Sequence, residues 1–395
     1  MGRPNLENIA HQLTTLPQEL GFLILDNLPL IEIIKLKRVS TQLKNFVSSY
    51  LTDELKIKEV SCGQDFTLVL LNRGRVLAVG NNSSGQLGLG NDIKKACMLT
   101  EIANLKENIQ HISTGFAHSL LLGESGTVYG MGRNAEKQVK PDSDQLSFYS
   151  PTPIETSTET IFAQDHTSAL IDTHNSFKVL GNSLKGYQHR HNTFFLPDWV
   201  PALPDNLDVA DVSVNNQHQH ALLLTRAGEV FACGNNESGF LGLNSKESFI
   251  NIWTQIPDIK ARQIKTTAVG CFILTQDSVL LVSGLNTKGQ LGPNQTLGTF
   301  TQLASEVTDF DAADHHTVVV VNNNLYHFGA MTLDNSELRT IEKGILPLQG
   351  YSFSQKQPTP SRITFKELMV DFFKNQPSTP KQSQSQTKNS FYFGV

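Results

Sequence analysis

Cysteine is scarce: only Cys62, Cys97, Cys233 and Cys271 occur in 395 residues, far apart and without a C-x-x-C pair. That pattern excludes a disulfide framework and the common zinc modules, and it reads as a chain for a reducing compartment, the cytosol. Long apolar runs are also missing, so no segment approaches membrane-spanning length and no membrane insertion is expected. Leu6 stands where an N-myristoylation signal needs Ser or Thr, and no C-terminal cysteine offers a prenylation site. Charged residues make up only 17%, with a net charge of −5, which argues against a broad electrostatic partnership with nucleic acid or anionic lipid.

Glycine, in contrast, is placed with care. The stretch VGNNSSGQLGLG, from Val79 to Gly90, has the Gly80/Gly85 spacing that opens a phosphate-binding P-loop. The P-loop needs Lys and then Ser or Thr after its second glycine, because the ammonium and hydroxyl meet phosphate and Mg²⁺. Gln86 and Leu87 stand there instead. The glycines therefore serve something other than a nucleotide.

Three regions follow different grammars. After an N-terminal arm (1–15), residues 16–50 read as three short helices. Pro17 suits a first helical turn; Leu16, Leu20, Leu23, Ile24 and Leu28 then fall at helical spacing. Pro29 breaks the run, and Ser40 caps a third segment carrying Leu43, Phe46, Val47, Tyr50 and Leu51 on one face. So small a helical unit buries little surface alone and needs a neighbour or partner. A linker is expected at 51–56.

From 57 to 350 the chain turns to short β runs. GNNSSGQLGLG at Gly80 returns as GNNESGFLGL at Gly234 and GLNTKGQLGP at Gly284, with weaker relatives at Gly132, Gly181 and Gly329. The period is about fifty residues. A second landmark keeps the same phase, at Phe66, His118, His166, His220, Gly270 and His316. Strand-and-turn repeats of this length predict the blades of a β-propeller, a mainly β fold. Six are detectable, at 57–108, 109–158, 159–208, 209–261, 262–306 and 307–350, with room for a degenerate seventh. The segment 351–374 carries an amphipathic helix over 363–374, capped by Thr364 and Glu367, and 375–395 has a disordered composition.

Histidines invite a metal or catalytic reading, above all at His189–His191, His218–His220 and His315–His316. Zinc requires three or four donors converging on one ion. A landmark histidine repeated once per blade is architectural instead, so no metal, cofactor or catalytic residue is expected. The third blade loses its QLG turn and gains Lys185, His189, Arg190, His191, Phe194 and Phe195, which predicts either a protruding target-binding loop or a drifted turn packed on the next blade.

Two resemblances follow from these residues. LPQELGFLILDNLPLIEIIKLKRVSTQLKNFV, from Leu16 to Val47, resembles an F-box: Leu16, Pro17, Glu19, Leu20, Ile24, Leu25, Leu28, Pro29, Leu36 and Val39 match its pattern, while Ser40 and Leu43 replace the usual Cys and Trp. The repeats resemble those of the regulator of chromosome condensation family. The F-box resemblance implies a substrate-recognition adaptor of a cullin–RING (SCF-type) ubiquitin ligase, not itself an enzyme. Its implied docking residues for a Skp-type adaptor are Leu16, Pro17, Leu20, Ile24, Leu25, Leu28, Pro29, Ile33, Leu36 and Val39. The propeller would then hold a target protein of unknown identity. The repeat family also includes an exchange factor for the small GTPase Ran, so a regulator of a small GTPase is the alternative, and a scaffold without a ubiquitin link is a third. An F-box joined to an interaction repeat also resembles effectors that intracellular bacteria deliver into host cells, which would place the protein in the host cytosol.

Overall fold

The apolar runs of the repeats form strands buried on both faces. Phe66–Leu71, His118–Gly123 and His220–Thr225 are buried at every position, which is why they read as continuous rather than alternating. In the computed structural model the described residues are 18–329, apart from 27, 29, 37–40, 104, 175, 182–186, 189–193, 238 and 293–296. The expected arm, the tail helix and the 375–395 segment lie outside them.

Among the described residues, six blade sheets and one two-stranded sheet follow one another along the chain. Blade 1 comprises β1 (Ile57–Cys62), β2 (Phe66–Leu71), β3 (Val76–Asn81) and β4 (Lys95–Glu101). Blade 2 comprises β5 (Ile109–Thr114), β6 (His118–Gly123), β7 (Val128–Arg133) and β8 (Ser147–Glu155). Blade 3 has three strands, β9 (Thr158–Gln164), β10 (Thr167–Asp172) and β11 (Phe177–Gly181); a separate hairpin follows, β12 (Tyr187–Gln188) with β13 (Phe194–Phe195). Blade 4 comprises β14 (Val209–Asn215), β15 (His220–Thr225), β16 (Val230–Asn235) and β17 (Phe249–Ile256). Blade 5 comprises β18 (Ala261–Thr267), β19 (Gly270–Thr275), β20 (Leu280–Gly284) and β21 (Leu297–Ala304). Blade 6 shows β22 (Val307–Ala312), β23 (His316–Val321) and β24 (Asn324–Gly329). All neighbouring strands are antiparallel, and β1 lies against β22, closing a six-bladed propeller.

The two sequence landmarks meet in the ladder. Phe66 pairs with Gly80, His118 with Gly132, His220 with Gly234, Gly270 with Gly284 and His316 with Gly329. Blade 3 corrects the expected alignment. There Thr167 pairs with Gly181, and His166 falls one residue before the slot, at the turn where Asp165 takes a positive φ of 42°.

At the N-terminus, α1 (Gln18–Asp26), α2 (Leu30–Leu36) and α3 (Thr41–Glu54) correspond to the three expected helices. The linker placed at 51–56 is shorter: α3 runs through Glu54, because Leu51 and Glu54 are buried against neighbours and hold the last turn in register.

Candidate functional site

Two surfaces can carry function: the helical unit, and the propeller face remote from it. Turns between second and third strands lie at one end of the blades; turns between first and second strands, and the QLG turns, lie at the other. The helices sit on the first of these ends, over blades 1 and 6.

The contact with blade 1 is built on two arginines flanking a turn glycine, in the sequence Leu71-Asn72-Arg73-Gly74-Arg75. Arg73 donates to both Asp26 oxygens, at 2.8 and 2.6 Å, and stacks its guanidinium over the Phe22 and Tyr50 rings. Arg75 donates to Glu101 at 2.6 Å and to the carbonyls of Leu25 and Asp26, both at 3.0 Å, so it caps the C-terminal end of α1. Glu101 in turn accepts the Leu30 amide at 3.0 Å at the start of α2. The Tyr50 hydroxyl lies 3.0 Å from a carboxylate oxygen of Asp26 and 3.0 Å from one of Glu54, with one proton to donate between them. Burial raises the Glu54 carboxyl to about 7 against the opposing pull of Arg75. Arg73 stays charged, held so chiefly by its hydrogen bonds to Asp26. None of these partners was expected from the pattern of the helices. The available signal was the departure of blade 1 from the repeat, since the equivalent turns are Glu-Ser-Gly-Thr at 124–127 and Arg-Ala-Gly-Glu at 226–229.

The residues expected to dock an adaptor divide by burial. Ile24 is 45% exposed, whereas Leu25 and Ile33 are fully buried in a cluster shared with blades 1 and 6; Leu28 and Leu36 pack on its edge. Leu20 lies on α1. Leu16, Pro17, Pro29 and Val39 lie outside the described residues. Of the expected target loop, Phe194 and Phe195 form β13, and Lys185, His189, Arg190 and His191 lie outside the described residues.

On the opposite face the repeat is held by a recurring set of bonds. Asn82 accepts the Leu87 amide at 2.9 Å, Asn134 that of Val139 at 3.0 Å and Asn286 that of Leu291 at 2.7 Å, so each asparagine of the G-x-N turn folds its own loop. Ser119 donates to the Gln86 carbonyl at 2.8 Å and Thr317 to that of Gln290 at 2.9 Å, latching a blade to the QLG turn before it. Blade 5 has Cys271 in that position, and Ser283, across the ladder, donates to the Phe240 carbonyl at 2.7 Å instead. His118 lies 2.9 Å from the Ser168 hydroxyl and His316 lies 3.0 Å from that of Thr67, each bridging to the next blade. Burial lowers His118 to about 3 and His220 to about 4, so both are neutral at pH 7.

The first strands of all six blades enclose a central cavity of 290 Å³, lined among others by Gln64, Phe116, Asp165, Asp211, Lys265 and Asp314. Lys265 is paired with Asp311 at 2.8 Å. Burial raises Asp211 to about 6, and burial together with Asp314 raises Asp165. Among the described residues no group of His, Cys, Asp and Glu could hold a metal ion.

Residues 13–53 match the F-box domain, and residues 57–86, 109–138 and 73–122 match the regulator of chromosome condensation (RCC1) repeat. The helices thus match an F-box and the first two blades match RCC1 repeats. The Xenopus laevis protein "Regulator of chromosome condensation" is 27% identical over 325 residues, covering 73% of this chain and 72% of that protein. The mouse "Secretion-regulating guanine nucleotide exchange factor" is 29% identical over 203 residues, 47% of this chain and 42% of that protein, so the match spans less than half of the mouse protein. Human WBSCR16, a crystal structure, aligns with a TM-score of 0.46 at 20% identity over 69% of this chain and 77% of its own.

Proposed function

We propose that this protein is the substrate-recognition subunit of an SCF-type ubiquitin ligase, with the F-box docking a Skp-type adaptor and the propeller presenting a target protein. The observation that carries the reading is the division of the molecule into two ends. The F-box occupies the second-to-third-strand end of blades 1 and 6, while the QLG end keeps its loops, the exposed Phe116 and the cavity mouth for a partner. The protein performs no chemistry in this role. It sets the distance between a target and a ligase in the cytosol.

The burial pattern sharpens which residues meet the adaptor. Ile24 projects from α1, so Ile24→Asp puts a charge into the contact without disturbing the core. Wild type should capture a Skp-type adaptor in a pull-down, and Ile24→Asp should weaken capture about tenfold or more, since one buried unpaired charge at an interface costs at least ~1.4 kcal/mol. Wild type that captures no adaptor from any eukaryotic panel member would remove the reading.

Similarity to a protein named as a guanine nucleotide exchange factor supports a second reading, regulation of a small GTPase by the propeller. Nucleotide release from a GTPase panel separates the two. Acceleration by the intact protein, without adaptor capture, would favour the second.

A further inference from the structure

Closing a ring of sheets leaves one seam, where the last blade meets the first and no peptide runs across it. In this propeller the seam lies between blade 6 and blade 1. A ring can be fastened by a strand from one end of the chain completing the sheet at the other. Among the described residues no such exchange occurs: β1–β4 are all drawn from 57–101 and β22–β24 from 307–329.

Contacts at two radii join these two blades. Near the axis, Asp309 and Asp311 accept the amides of Val60 and Cys62 at 2.9 and 2.8 Å. Farther out, the F-box takes over. Leu25, Ile33, Leu43 and Val47 belong to one continuous buried cluster with Val69 and Leu77 of blade 1 and with Val318, Val320 and Leu325 of blade 6. The chain leaving α3 is tied to blade 6 as well, since the Asn323 side chain accepts the Ile57 amide at 2.7 Å and donates to the Leu55 carbonyl at 2.9 Å. The Arg73–Asp26 pair anchors the same helices to blade 1.

We infer that the F-box is the clasp of the propeller: α1–α3 fasten blade 6 to blade 1, so the docking unit and the ring form one cooperative body. This holds whichever partner the helices meet. It also changes how a truncation must be read, because deleting the F-box would unfasten the ring and abolish target binding without any ligase being involved.

Hydrogen exchange on the full-length protein tests the clasp. Ile33→Ala opens a cavity in the shared cluster, and Ile252→Ala, on an exposed side chain of β17, serves as control. Amides of β1 and β22–β24 should exchange at least ten times faster in Ile33→Ala than in wild type, with the control unchanged. Unfolding followed by the two tryptophans, Trp199 and Trp253, which lie in a separate cluster with blade 4, should shift to lower urea by about 1 M. If Ile33→Ala does not fold, Ile33→Val supplies the same comparison with a smaller cavity. Faster exchange confined to residues 18–54, or a tryptophan midpoint equal to wild type, overturns the inference.

Discussion

At Gly80 the backbone runs at φ 110°, and a Cβ would sit 2.4 Å from the Asp65 carbonyl oxygen. The same crowding recurs at Gly132, where the Gln86 Cα of the preceding QLG turn also lies 3.1 Å from that position. The glycine of each repeat is therefore required by the slot residue opposite and by the turn lying over it. The slot residue itself can change, since blade 1 uses Phe66 where blade 2 uses His118. That makes His118→Phe an informative substitution. At pH 7.5 it removes the bond to Ser168 and leaves a buried hydroxyl unmet, lowering stability by about 1–2 kcal/mol. The penalty should shrink or reverse at pH 4.5. His118 has its folded pKa near 3, below the unfolded value of 6.5; above 6.5 neither state holds the proton. Between 6.5 and 3 only the unfolded chain binds it, so wild type loses up to about 1.4 kcal/mol per pH unit that the Phe variant keeps. Urea midpoints at the two pH values check this; an equal penalty at both would contradict it. The histidine slot was legible in the sequence through its repetition. Its one-residue offset in blade 3 was not, because only ladder pairing shows that Thr167, not His166, faces Gly181.

Among elements, the β2–β3 turn of blade 1 sends its side chains out of the sheet to hold a different unit. Arg73 and Asp26 lie 2.6 Å apart, with two parallel hydrogen bonds, and are only partly exposed. A double-mutant cycle on Arg73→Ala and Asp26→Ala should give a coupling energy of about 2 kcal/mol by thermal or urea unfolding. A coupling near zero would mean that the turn merely touches the helices. Helix existence was readable from the spacing of Leu43, Phe46, Val47 and Tyr50, and strand existence from the repeated apolar runs. The path of blade 3 was less so. Of the two expected outcomes for its drifted turn, a protruding loop or packing on the next blade, the structure places the β12–β13 hairpin with β12 against β14 of the next blade.

For the whole molecule, buried titratable groups of opposite sense set the response to acid. Burial lowers His220 and His327 to about 4, while it raises Asp309 and Glu54 to about 7 and Asp211 to about 6. As pH falls from 6.5, the unfolded chain gains protons at the histidines that the folded state refuses, and stability drops. Over the same interval the folded state gains protons at the three carboxyls before the unfolded chain does, and stability rises. The two trends largely offset each other between about pH 5 and 6.5. Below about 3.8 the raised carboxyls and both histidines hold protons in either state, so what remains is the loss at His118, down to about 3, and at Glu136, which its hydrogen bond to Arg133 keeps at about 2, and stability should fall. Urea unfolding at half-unit pH steps checks for this shoulder. A steady decline from pH 7 downward would show that the carboxyls do not resist ionisation as their burial implies.

Periodicity is a local property, and it was enough to determine the repeat, the number of visible blades, the β class and the presence of an F-box ahead of them. Each of these depends on residue spacing within about fifty positions. The glycine stretch that imitates a P-loop was also resolved locally, by the absence of Lys and Ser/Thr after Gly85 and by its return at Gly234 and Gly284. What only the tertiary structure decided is where the F-box goes. Leu25 and Ile33 look the same in sequence whether they face a partner or a propeller, because an apolar stripe records that a face is buried and not by what. Closure of the ring brings residues near 57 and near 320 together, and that long-range contact makes a docking module part of the ring's own core.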